Sequence, residues 1–374
     1  MLLVTNDFPP KVGGIQNYLY ELWKRLPCET RVITTKYKNT EEFDTQQSFR
    51  IDRVSKVLLP NPVLKQTIIK AVEEMKTDVV FFDPLLPLGQ LIPSISKKYD
   101  VNCIPILHGA EITVPGFFPG SKNIARRILK HSKGVVAAGN YVADIADRAA
   151  GYELNKVIIP PGVDCIEFNP NNKKESRDFI IEKHGIPADA FIISSISRVV
   201  PRKGFDYLIE SIACEELRDV HVIVVGDGRD MGRLQKLAKK LGVESRVVFT
   251  GKVPFEDLKK YYKGCDIFSM LCRDRWRSLE AEGFGIVFLE ASASGVPVIG
   301  GISGGSTDAI DHGKSGFLVE STNIEAIREK ILLYLKNPEL VKKHGESGRN
   351  FAKNNFDYDE LAKELLPVVL NQAF

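Results

Sequence analysis

The sequence predicts an α/β protein made of two doubly wound halves, each a parallel β-sheet covered by helices on both faces. Short β-branched runs alternate with amphipathic helical segments along nearly the whole chain, and the strand candidates are continuously apolar. Such strands are typical of parallel sheets that are buried on both faces. The chain has 374 residues, too many for one ordinary core, and we therefore expect two domains.

Each half contributes its own set of elements. The strands predicted in the first half are Leu2–Thr5, Thr30–Thr35, Val79–Asp83, Cys103–His108, Val135–Ala138 and Lys156–Ile159. Those predicted in the second half are Phe191–Ser197, His221–Gly226, Arg246–Thr250, Asp266–Leu271 and Pro297–Gly300. The helices predicted between them include Ile15–Leu26, Pro62–Met75, Asn140–Ala150, Phe205–Glu216, Gly232–Leu241, Phe255–Lys263 and Ile286–Ser294.

The expected domain boundary is a segment rich in proline, asparagine and lysine that begins at Pro160 and ends near Pro187. Segments of this composition join domains more often than they build cores. We predict a first domain over residues 1–165 and a second over residues 186–356. The last segment, 357–374, is predicted to be helical because its apolar residues recur at helical spacing.

Composition and charge indicate a soluble globular protein. Hydrophobic residues make up 44% of the chain and charged residues 26%. The net charge of +3 is too small to indicate a nucleic-acid partner. Six cysteines without a CxxC pair predict reduced thiols in a cytoplasmic protein. Met1 leads directly into an apolar strand, which leaves no room for a signal peptide, and no apolar stretch approaches the roughly 20 residues that span a bilayer.

The most informative segment is Glu282–Glu290, in which two glutamates frame a Gly-Phe-Gly-Ile turn that leads into a predicted helix. The glutamate spacing alone is uninformative, since similar pairs occur elsewhere in the chain. The context gives it weight, because a glycine-flanked turn at a helix start leaves backbone N–H groups free for an anion or for sugar hydroxyls. One carboxylate precedes this turn, and the other follows about two helical turns later.

Three further groups of residues lie at the carboxyl ends of predicted strands or in the loops that follow them, where ligands bind in open α/β sheets. Gly13 and Gly14 suit either close approach of a ligand to the backbone or a simple tight turn. The loop Arg198–Gly204 carries three cations that suit a diphosphate, although solvated cations are common on loops. His108 is either a structural hydrogen-bonding group or a catalytic one. Two halves facing each other would line a cleft with these loops.

Other functional motifs are absent or misleading. Gly226-Asp-Gly228 with Gly232 departs from the spacing of a dinucleotide fingerprint and lacks its acidic partner. Asp357-Tyr-Asp359 looks like the cap of the last helix and not like a metal site. The sequence contains no HExxH, GxSxG or P-loop motif. We therefore expect a metal-free mechanism and no cofactor.

Four motifs, in their order along the chain, resemble those of the retaining glycosyltransferases of family 4, and the likeness covers essentially the full chain. These motifs are Gly13-Gly14, His108-Gly109, Arg198 with Lys203, and Glu282 with Glu290. Leu3–Pro10 followed by Gly13–Gln16 is further similar to the GDP-mannose-dependent phosphatidylinositol mannoside mannosyltransferases. The resemblance implies the GT-B fold, in which two Rossmann-like domains face each other across a cleft. It also implies that the first domain binds the acceptor, that the second binds the nucleotide-sugar, and that helix 357–374 packs back on the first.

The resemblance implies a role for each matching residue. Catalytic roles would fall on His108, Arg198, Lys203 and Glu282. Donor contacts would come from Gly14, Arg198, Lys203, Val253, Glu282, Phe284, Gly285, Ile286 and Glu290, and acceptor contacts from Gly13, Gln16 and Asn17. Glu290 would hold the ribose hydroxyls, while Arg198 and Lys203 would bind the diphosphate. Glu282 would bind the transferred sugar near its 3- and 4-hydroxyls, His108 would contact it near C6, and the backbone around Val253 would meet the nucleobase.

The reaction that the resemblance implies is retaining, metal-independent transfer of a hexose. The expected donor is GDP-mannose, and the expected acceptor is a lipid of the phosphatidylinositol mannoside type. The leaving diphosphate would help to deprotonate the acceptor, and the protein would supply charge and positioning. A UDP-sugar donor, or a polysaccharide or another glycolipid as acceptor, remains an alternative within the fold. A non-catalytic nucleotide-sugar-binding protein and an oxidoreductase with two nucleotide-binding-like domains are alternatives of other classes.

The charge distribution predicts contact with an anionic membrane surface. Residues 1–164 contain 21 lysines and arginines against 17 acidic residues, a net charge of +4, and the remainder carries a net charge of −1. Within Ser121–Lys133, cations lie near Ile124, Ile128 and Leu129, as in an interfacial amphipathic helix; they are Arg126, Arg127, Lys130 and Lys133. An ordinary helix that packs its apolar stripe on the sheet would show the same pattern. We predict a cytoplasmic protein that binds peripherally to the inner face of the cell membrane.

Overall fold

The chain folds into two compact units, each built on one parallel β-sheet. The structure is a computed structural model that describes residues 1–109, 111–113, 119–276, 280–370 and 372–374. The first unit comprises Met1–Gly162 together with Tyr358–Phe374, and the second comprises Val163–Asp357. The chain therefore leaves the first unit once and returns to it for the last helix.

The first unit contains a seven-stranded sheet. Its strands are β1 (Leu2–Thr5), β2 (Arg31–Thr35), β3 (Arg50–Ser55), β4 (Val79–Asp83), β5 (Asn102–Leu107), β6 (Val135–Ala137) and β7 (Lys156–Ile158). The strand order across the sheet is β3-β2-β1-β4-β5-β6-β7. Its helices are α1 (Gly14–Trp23), α2 (Thr40–Thr45), α3 (Pro62–Met75), α4 (Ile92–Tyr99), α5 (Pro119–Lys130) and α6 (Asn140–Ala150).

The second unit repeats this arrangement with six strands. They are β8 (Phe191–Ile196), β9 (Val220–Val225), β10 (Val247–Gly251), β11 (Ile267–Met270), β12 (Val298–Gly301) and β13 (Gly316–Val319), in the order β10-β9-β8-β11-β12-β13. The helices are α7 (Lys173–His184), α8 (Phe205–Ser211), α9 (Met231–Lys240), α10 (Phe255–Lys263), α11 (Ile286–Ala293), α12 (Ile324–Leu335) and α13 (Pro338–Phe356). The final helix, α14 (Tyr358–Val369), belongs to the first unit.

Both sheets are parallel and buried on both faces, as the sequence predicted. Every strand pairing between the named strands is parallel. In β1, Leu2 and Val4 pack in the core on one face of the sheet, and Leu3 packs in the core on the other. Since successive side chains of a strand point to opposite faces, a strand that is apolar at every position requires cover on both sides.

The order of strands reverses direction once in each sheet, between β1 and β4 and between β8 and β11. The first sheet grows from β1 outward to β3 and then from β4 outward to β7, and the second does the same from β8 and from β11. At such a switch point the loops on the two neighbouring strands diverge and leave a crevice at their carboxyl ends. The switch points therefore identify where each unit can receive a ligand.

Helix α14 is held on α1 of the first unit. The Arg25 guanidinium donates to Asp359 Oδ1 at 2.5 Å and lies 5.6 Å from the centre of the Tyr358 ring. Leu361 and Leu365 of α14 are buried in the core on this face of the first sheet. The last segment thus covers the sheet that contains the N-terminal strand.

The sequence analysis missed two strands, β3 and β13, and both lie at an edge of their sheet. None of the residues in β3 is fully buried, and the inner two residues of β13 are half-buried. An edge strand packs against a neighbour on one side only, so that its sequence can carry polar residues, as Arg-Ile-Asp-Arg-Val-Ser does in β3. The polar sequence explains why β3 was not predicted. It does not explain β13, whose sequence Gly-Phe-Leu-Val is apolar, and the other two edge strands, β7 and β10, were predicted.

The second unit starts at Val163, whereas the sequence-based bounds placed the start of the second domain at residue 186. Helix α7 accounts for the difference, because it packs on α10 of the second unit. Arg177 of α7 donates to Asp266 Oδ2 at 3.0 Å and to the Ala190 carbonyl at 2.6 Å. Only Ser176 and Ile180 of α7 are buried, so its mostly polar sequence resembled a linker.

Gly204 should not tolerate a side chain. Its φ of 70° lies in the left-handed region, and a Cβ there would stand 1.8 Å from the Leu271 carbonyl oxygen. Gly204→Ala should lower the free energy of unfolding by roughly 1–3 kcal/mol, measured by urea denaturation. The matched control is Gly232→Ala in α9, where a Cβ meets nothing within 4 Å. That change should raise the free energy of unfolding by about 0.5–1 kcal/mol, and equal midpoints for the two variants would contradict the prediction.

Candidate active site

The loops after β8 and β11 meet at the switch point of the second unit. Arg202 and Lys203 come from the loop after β8, and Glu282 comes from the segment after β11. The Arg202 guanidinium donates to Glu282 Oε2 at 2.5 Å, and the Lys203 ammonium donates to the same oxygen at 2.7 Å. Lys203 and Glu282 are both buried, so this is a closed ion-pair cluster and not a surface contact.

The two cations keep the Glu282 carboxylate ionised. Burial by itself would raise the pKa of Glu282, but the charges and hydrogen bonds of Lys203 and Arg202 outweigh it, and the pKa is lowered. Since both cations donate to Oε2, no residue in the described part of the chain donates to Oε1. Oε1 is therefore an acceptor that a hydroxyl of a ligand can use.

The backbone of Glu282 is fixed by the segment that follows β12. Its N–H donates to Ser303 Oγ at 3.1 Å, and its carbonyl accepts from the Gly305 N–H at 2.9 Å. The Ser303 hydroxyl in turn donates to Asp274 Oδ1 at 2.6 Å. The loop after β8 thus binds the Glu282 carboxylate, and the segment after β12 binds its backbone.

The predicted diphosphate ligands differ in their surroundings. Lys203 is committed to Glu282, whereas Arg198 is exposed and its guanidinium contacts no partner among the described residues. Arg202, which the sequence analysis did not assign, is the second partner of Glu282. In this structure Arg198 is therefore the uncommitted cation of the loop, while Lys203 and Arg202 hold the neighbouring carboxylate.

Glu290 lies on α11, and no lysine, arginine or histidine in the described part of the chain pairs with its carboxylate. Its Oε2 accepts a hydrogen bond from the Tyr262 hydroxyl of α10. Burial raises the pKa of Glu290 to about 7, and the Tyr262 hydrogen bond opposes that rise only in part. Burial and the adjacent Glu290 in turn raise the pKa of Tyr262 well above its ordinary value, so the phenol stays protonated and donates.

The turn between the two glutamates presents backbone N–H groups, as the sequence predicted. Helix α11 begins at Ile286 after Gly285, whose φ of 95° is left-handed and favours glycine. No side chain caps this end, and its first turn carries no acidic residue. The Phe288 N–H donates to the Gly285 carbonyl at 2.9 Å. The N–H groups of Ile286 and Val287 and the positive end of the helix dipole therefore remain available to an anion. Phe284 itself is buried against Phe356, with ring centres 5.6 Å apart.

In the first unit, His108 follows β5 and pairs with a buried aspartate. His108 Nε2 and Asp83 Oδ1 lie 2.7 Å apart, and the Thr5 hydroxyl donates to Asp83 Oδ2 at 2.7 Å. Burial alone would lower the pKa of His108, but Asp83, with help from Glu111 and Asp7, raises it. Thr5 ends β1, Asp83 ends β4 and His108 directly follows β5, which places the group at the switch point of the first sheet.

The glycine pair at the start of α1 leaves another helix end open. Gly13 precedes α1, no side chain caps the helix, and no acidic residue lies in its first turn. Of the three tentative acceptor residues, Gly13 and Asn17 are exposed. Gln16 is buried, and its amide donates to Asp7 Oδ1 at 2.6 Å. Gln16 is thus hydrogen-bonded to Asp7 within the first unit.

Val253 lies in the short loop between β10 and α10, as predicted. Its side chain is half-buried and packs against the core of the second unit. The strand before it ends at Gly251, whose carbonyl accepts from the Gly226 N–H at 2.9 Å. The backbone of residues 251–254 is therefore placed at the carboxyl edge of the second sheet, beside the loop after β9.

Sequence reasoning missed several partners of the site residues, namely Asp83, Arg202, Tyr262 and Ser303. Arg202 stands in the cationic loop that the sequence singled out, so the charge signal was present without a partner. Asp83 ends a predicted strand and could have been noted for that position alone. Tyr262 and Ser303 carry no local signal, because their role depends on a neighbour distant in sequence.

Comparisons with known proteins bear on this arrangement. Residues 176–351 match the family model described as glycosyl transferases group 1. The chain is 34% identical to the GDP-mannose-dependent alpha-(1-6)-phosphatidylinositol monomannoside mannosyltransferase of Mycolicibacterium smegmatis, over 96% of this chain and 95% of that protein. This chain belongs to the group 1 glycosyltransferases. This glycosyltransferase is also 29% identical to a GDP-mannose-dependent monoacylated alpha-(1-6)-phosphatidylinositol monomannoside mannosyltransferase of Corynebacterium glutamicum, over 99% of this chain and 98% of that one.

Solved structures confirm the predicted fold. A glycosyltransferase from Rickettsia africae superposes on this glycosyltransferase with a TM-score of 0.83 at 23% identity, over 99% of this chain and 98% of that one. HepE of Anabaena in complex with UDP gives a TM-score of 0.82 at 19% identity, over 99% and 100% of the two chains. The GT-B prediction, with its two Rossmann-like parallel-sheet domains, is therefore correct.

Replacing Glu290 with glutamine should remove a pH-dependent loss of stability from this glycosyltransferase. The folded-state pKa of about 7 lies above the ordinary 4.5, so the folded state holds more protons than the unfolded state between these values. Its stability must then fall as the pH rises through that window. Scanning fluorimetry should show the wild type losing Tm relative to Glu290→Gln between about pH 5 and about pH 8. Glu256→Gln, at an exposed glutamate, is the control, and parallel curves for wild type and Glu290→Gln would contradict the prediction.

Proposed function

We propose that this glycosyltransferase transfers α-mannose from GDP-mannose to a lipid of the phosphatidylinositol mannoside type. The observation that carries the proposal is the similarity over nearly the full length to mannosyltransferases that act on phosphatidylinositol monomannoside. The site residues fit it, because the second unit holds one ionised carboxylate with a free oxygen beside an uncapped helix end. A sugar diphosphate presents the complementary groups, hydroxyls and an anion.

The donor would lie at the switch point of the second unit. Arg198 is exposed and uncommitted, which suits a cation that binds the diphosphate. The N–H groups at the start of α11 would add further donors to the same anion. Glu282 Oε1 would accept from hydroxyls of the sugar, and Glu290 would accept from the ribose hydroxyls. Hydroxyl donors favour the ionised form of Glu290, so nucleotide binding would lower its pKa.

The transfer would proceed with retention through attack on the face that the diphosphate leaves. The acceptor hydroxyl oxygen bonds to the anomeric carbon, the bond from that carbon to the diphosphate oxygen breaks, and the hydroxyl proton passes to the leaving diphosphate. In this route the protein needs no nucleophile of its own and contributes charge and positioning. Arg198 would stabilise the negative charge that develops on the leaving group. His108, with its raised pKa, would donate a hydrogen bond to the transferred sugar.

The proposed reaction requires no resident metal ion. The positive charge near the diphosphate would come from Arg198, Lys203 and the dipole of α11. In the described part of the chain, no group of three or more histidine, cysteine, aspartate or glutamate side chains is arranged to hold a metal. Activity that is unchanged by a chelator would agree with this part of the proposal.

We further propose that the first unit contacts the inner face of the cell membrane, where its lipid acceptor lies. None of the helices in the described ranges has the length and hydropathy to cross a bilayer. In α5, Ile128 and Leu129 are buried in the core and Ile124 is exposed, so the apolar stripe serves mainly the fold. The exposed cations of this helix would then act by charge alone.

A second surface of the first unit is both apolar and basic. We call it the loop patch, because it lies in the loops after β1, β2 and β3. Its apolar members, each more than half exposed, are Val12, Tyr37, Val57 and Leu59. Exposed lysines in the same loops are Lys11, Lys36, Lys38 and Lys56. Apolar side chains framed by cations suit the interface of an anionic bilayer, where both kinds of group gain a partner.

The transfer assay tests the proposed reaction. Purified protein is incubated with radiolabelled GDP-mannose and a phosphatidylinositol monomannoside, and label is counted in the organic phase. Label should enter the lipid, and Arg198→Ala should lower kcat by the order of 10²-fold, because charge on the leaving group loses its partner. Arg218→Ala, at an exposed arginine that precedes β9 in the second unit, is the control and should keep the wild-type rate. A near-normal rate for Arg198→Ala would reject the role of Arg198.

An unlabelled organic phase would reject the lipid acceptor or the donor. Hydrolysis of GDP-mannose without transfer would keep the donor and discard the acceptor. No consumption of GDP-mannose would discard the donor, and UDP-sugars with soluble acceptors would then be assayed.

Vesicle flotation tests the membrane surface. The protein should float with vesicles that contain anionic phosphatidylinositol, because the first half carries the positive excess. In the presence of neutral vesicles it should stay unbound at the bottom of the gradient. Val57→Ser with Leu59→Ser should reduce flotation, since the loop patch loses apolar area. Ile166→Ser, at an exposed isoleucine of the second unit, should float like the wild type. Wild-type protein that fails to float on anionic vesicles would reject the membrane proposal.

A further inference from the structure

Trp276 combines exposure with a strained backbone. The residue is 62% exposed and has a φ of 50°, in the left-handed region that bulky side chains avoid. Trp23, the other of the two tryptophans in the sequence, is 1% exposed and lies in the core of the first unit. Strained backbone persists where surrounding contacts enforce it, and such positions cluster at functional sites.

The contacts that hold Trp276 are formed by its flanking residues. Arg275 and Glu280 form an antiparallel bridge, with N–H···O distances of 3.0 and 3.2 Å. Their side chains pair as well, with Arg275 Nη1 at 3.1 Å from Glu280 Oε2. The Arg275 guanidinium lies over the indole, 4.8 Å from the ring centre. The ring is therefore presented to solvent in an orientation that a backbone bridge and a stacked cation both fix.

The same loop is bonded to the site of the second unit. Arg273 binds both oxygens of Asp206, at 2.8 and 2.9 Å. Asp274 Oδ1 accepts from the Ser303 hydroxyl, and Ser303 Oγ accepts from the Glu282 N–H. The backbone that carries Trp276 is thus connected, through Asp274 and Ser303, to the peptide of the carboxylate proposed to bind sugar.

We propose that Trp276 is a binding platform for the pyranose ring of a substrate. The proposal rests on the proposed function, in which both substrates carry a hexose. A pyranose ring presents C–H groups on a face that is poor in hydroxyls. The hydrogens of these C–H groups carry partial positive charge and are attracted to the negative face of an aromatic ring. An exposed, fixed indole beside hydrogen-bonding groups offers the two kinds of contact that a sugar requires. The role is one of binding and specificity, with the chemistry left to the ionised groups.

The occupant could be the sugar of the donor or of the acceptor, and kinetics separate them. Trp276→Leu keeps an apolar side chain of moderate size and removes the aromatic face, whereas Trp276→Phe keeps an aromatic ring. Trp276→Leu should raise KM for one sugar-bearing substrate by about 3- to 10-fold. Trp276→Phe should have a KM close to that of the wild type, because it keeps an aromatic face. A higher KM for the phosphatidylinositol monomannoside would show that Trp276 binds the sugar of the acceptor. A higher KM for GDP-mannose in its hydrolysis would show that Trp276 binds the sugar of the donor. Ile166→Ala, at an exposed isoleucine of the same unit, should leave both values unchanged.

Tryptophan fluorescence provides a readout that does not depend on transfer. Methyl α-mannoside should change the emission of the wild type if Trp276 binds an acceptor sugar, and GDP-mannose should change it more than GDP if Trp276 binds the donor sugar. Trp276→Phe leaves only the buried Trp23 and should abolish either change.

The outcomes separate the two proposals. A wild type that transfers no mannose while its emission still responds to methyl α-mannoside or to the sugar of GDP-mannose rejects the proposed reaction and retains the platform. The platform proposal is overturned if Trp276→Leu has an unchanged KM for both substrates and the tryptophan emission of the wild type changes with neither sugar. Loss of vesicle flotation in Trp276→Leu, with KM values unchanged, would also overturn it and assign the indole to the membrane.

Discussion

The paired charges of Glu282, Arg202 and Lys203 are the constraint on which the second unit depends. Taking a carboxylate out of water costs several kcal/mol, and partners with good geometry must offset that cost. Here two cations converge on one oxygen of Glu282. The cluster joins the loop after β8 to the segment after β11, so that neither can move without leaving a buried charge unpaired. The hydrogen bonds through Ser303 extend the same connection to the loop after β12.

The two glutamates of the Glu282–Glu290 segment show how environment sets the chemistry of identical side chains. Cations lower the pKa of Glu282, and burial next to a neutral phenol raises that of Glu290 to about 7. The first is held in its anionic form with one oxygen free, which can accept a hydrogen bond from a ligand hydroxyl. The second can gain or lose its proton near neutral pH, so that the hydrogen bonds of a bound ligand decide its state. One local sequence thereby yields two different acceptors.

The two units use the carboxyl edges of their sheets differently. In the first unit the switch point carries the Asp83–His108 pair, and the loops after β1, β2 and β3 expose apolar side chains beside lysines. In the second unit the corresponding loops carry cations, carboxylates and uncapped N–H groups. This division suits a lipid on the first unit and a nucleotide-sugar on the second, as the proposed function requires. Each unit has a carboxyl sheet edge of the same kind, and the side chains of the loops at that edge determine what it can bind.

The sequence by itself determined the parallel α/β class, the inner strands, the duplication into two units and the loops that carry the site. These features follow from local rules, because a strand buried on both faces is apolar at nearly every position and a glycine before a helix offers no side chain to cap its first N–H groups. Edge strand β3 and helix α7 were not recognised by those rules, since each is buried on only part of its surface and is largely polar. Only the tertiary structure decided which charges meet. Lys203 and Glu282 are separated by 79 residues, and Asp83 and His108 by 25. The identity of a residue does not predict which partner at such a distance in the sequence it will contact. The protonation of Glu290 and the exposure of Trp276 depend in the same way on what the rest of the chain places around them.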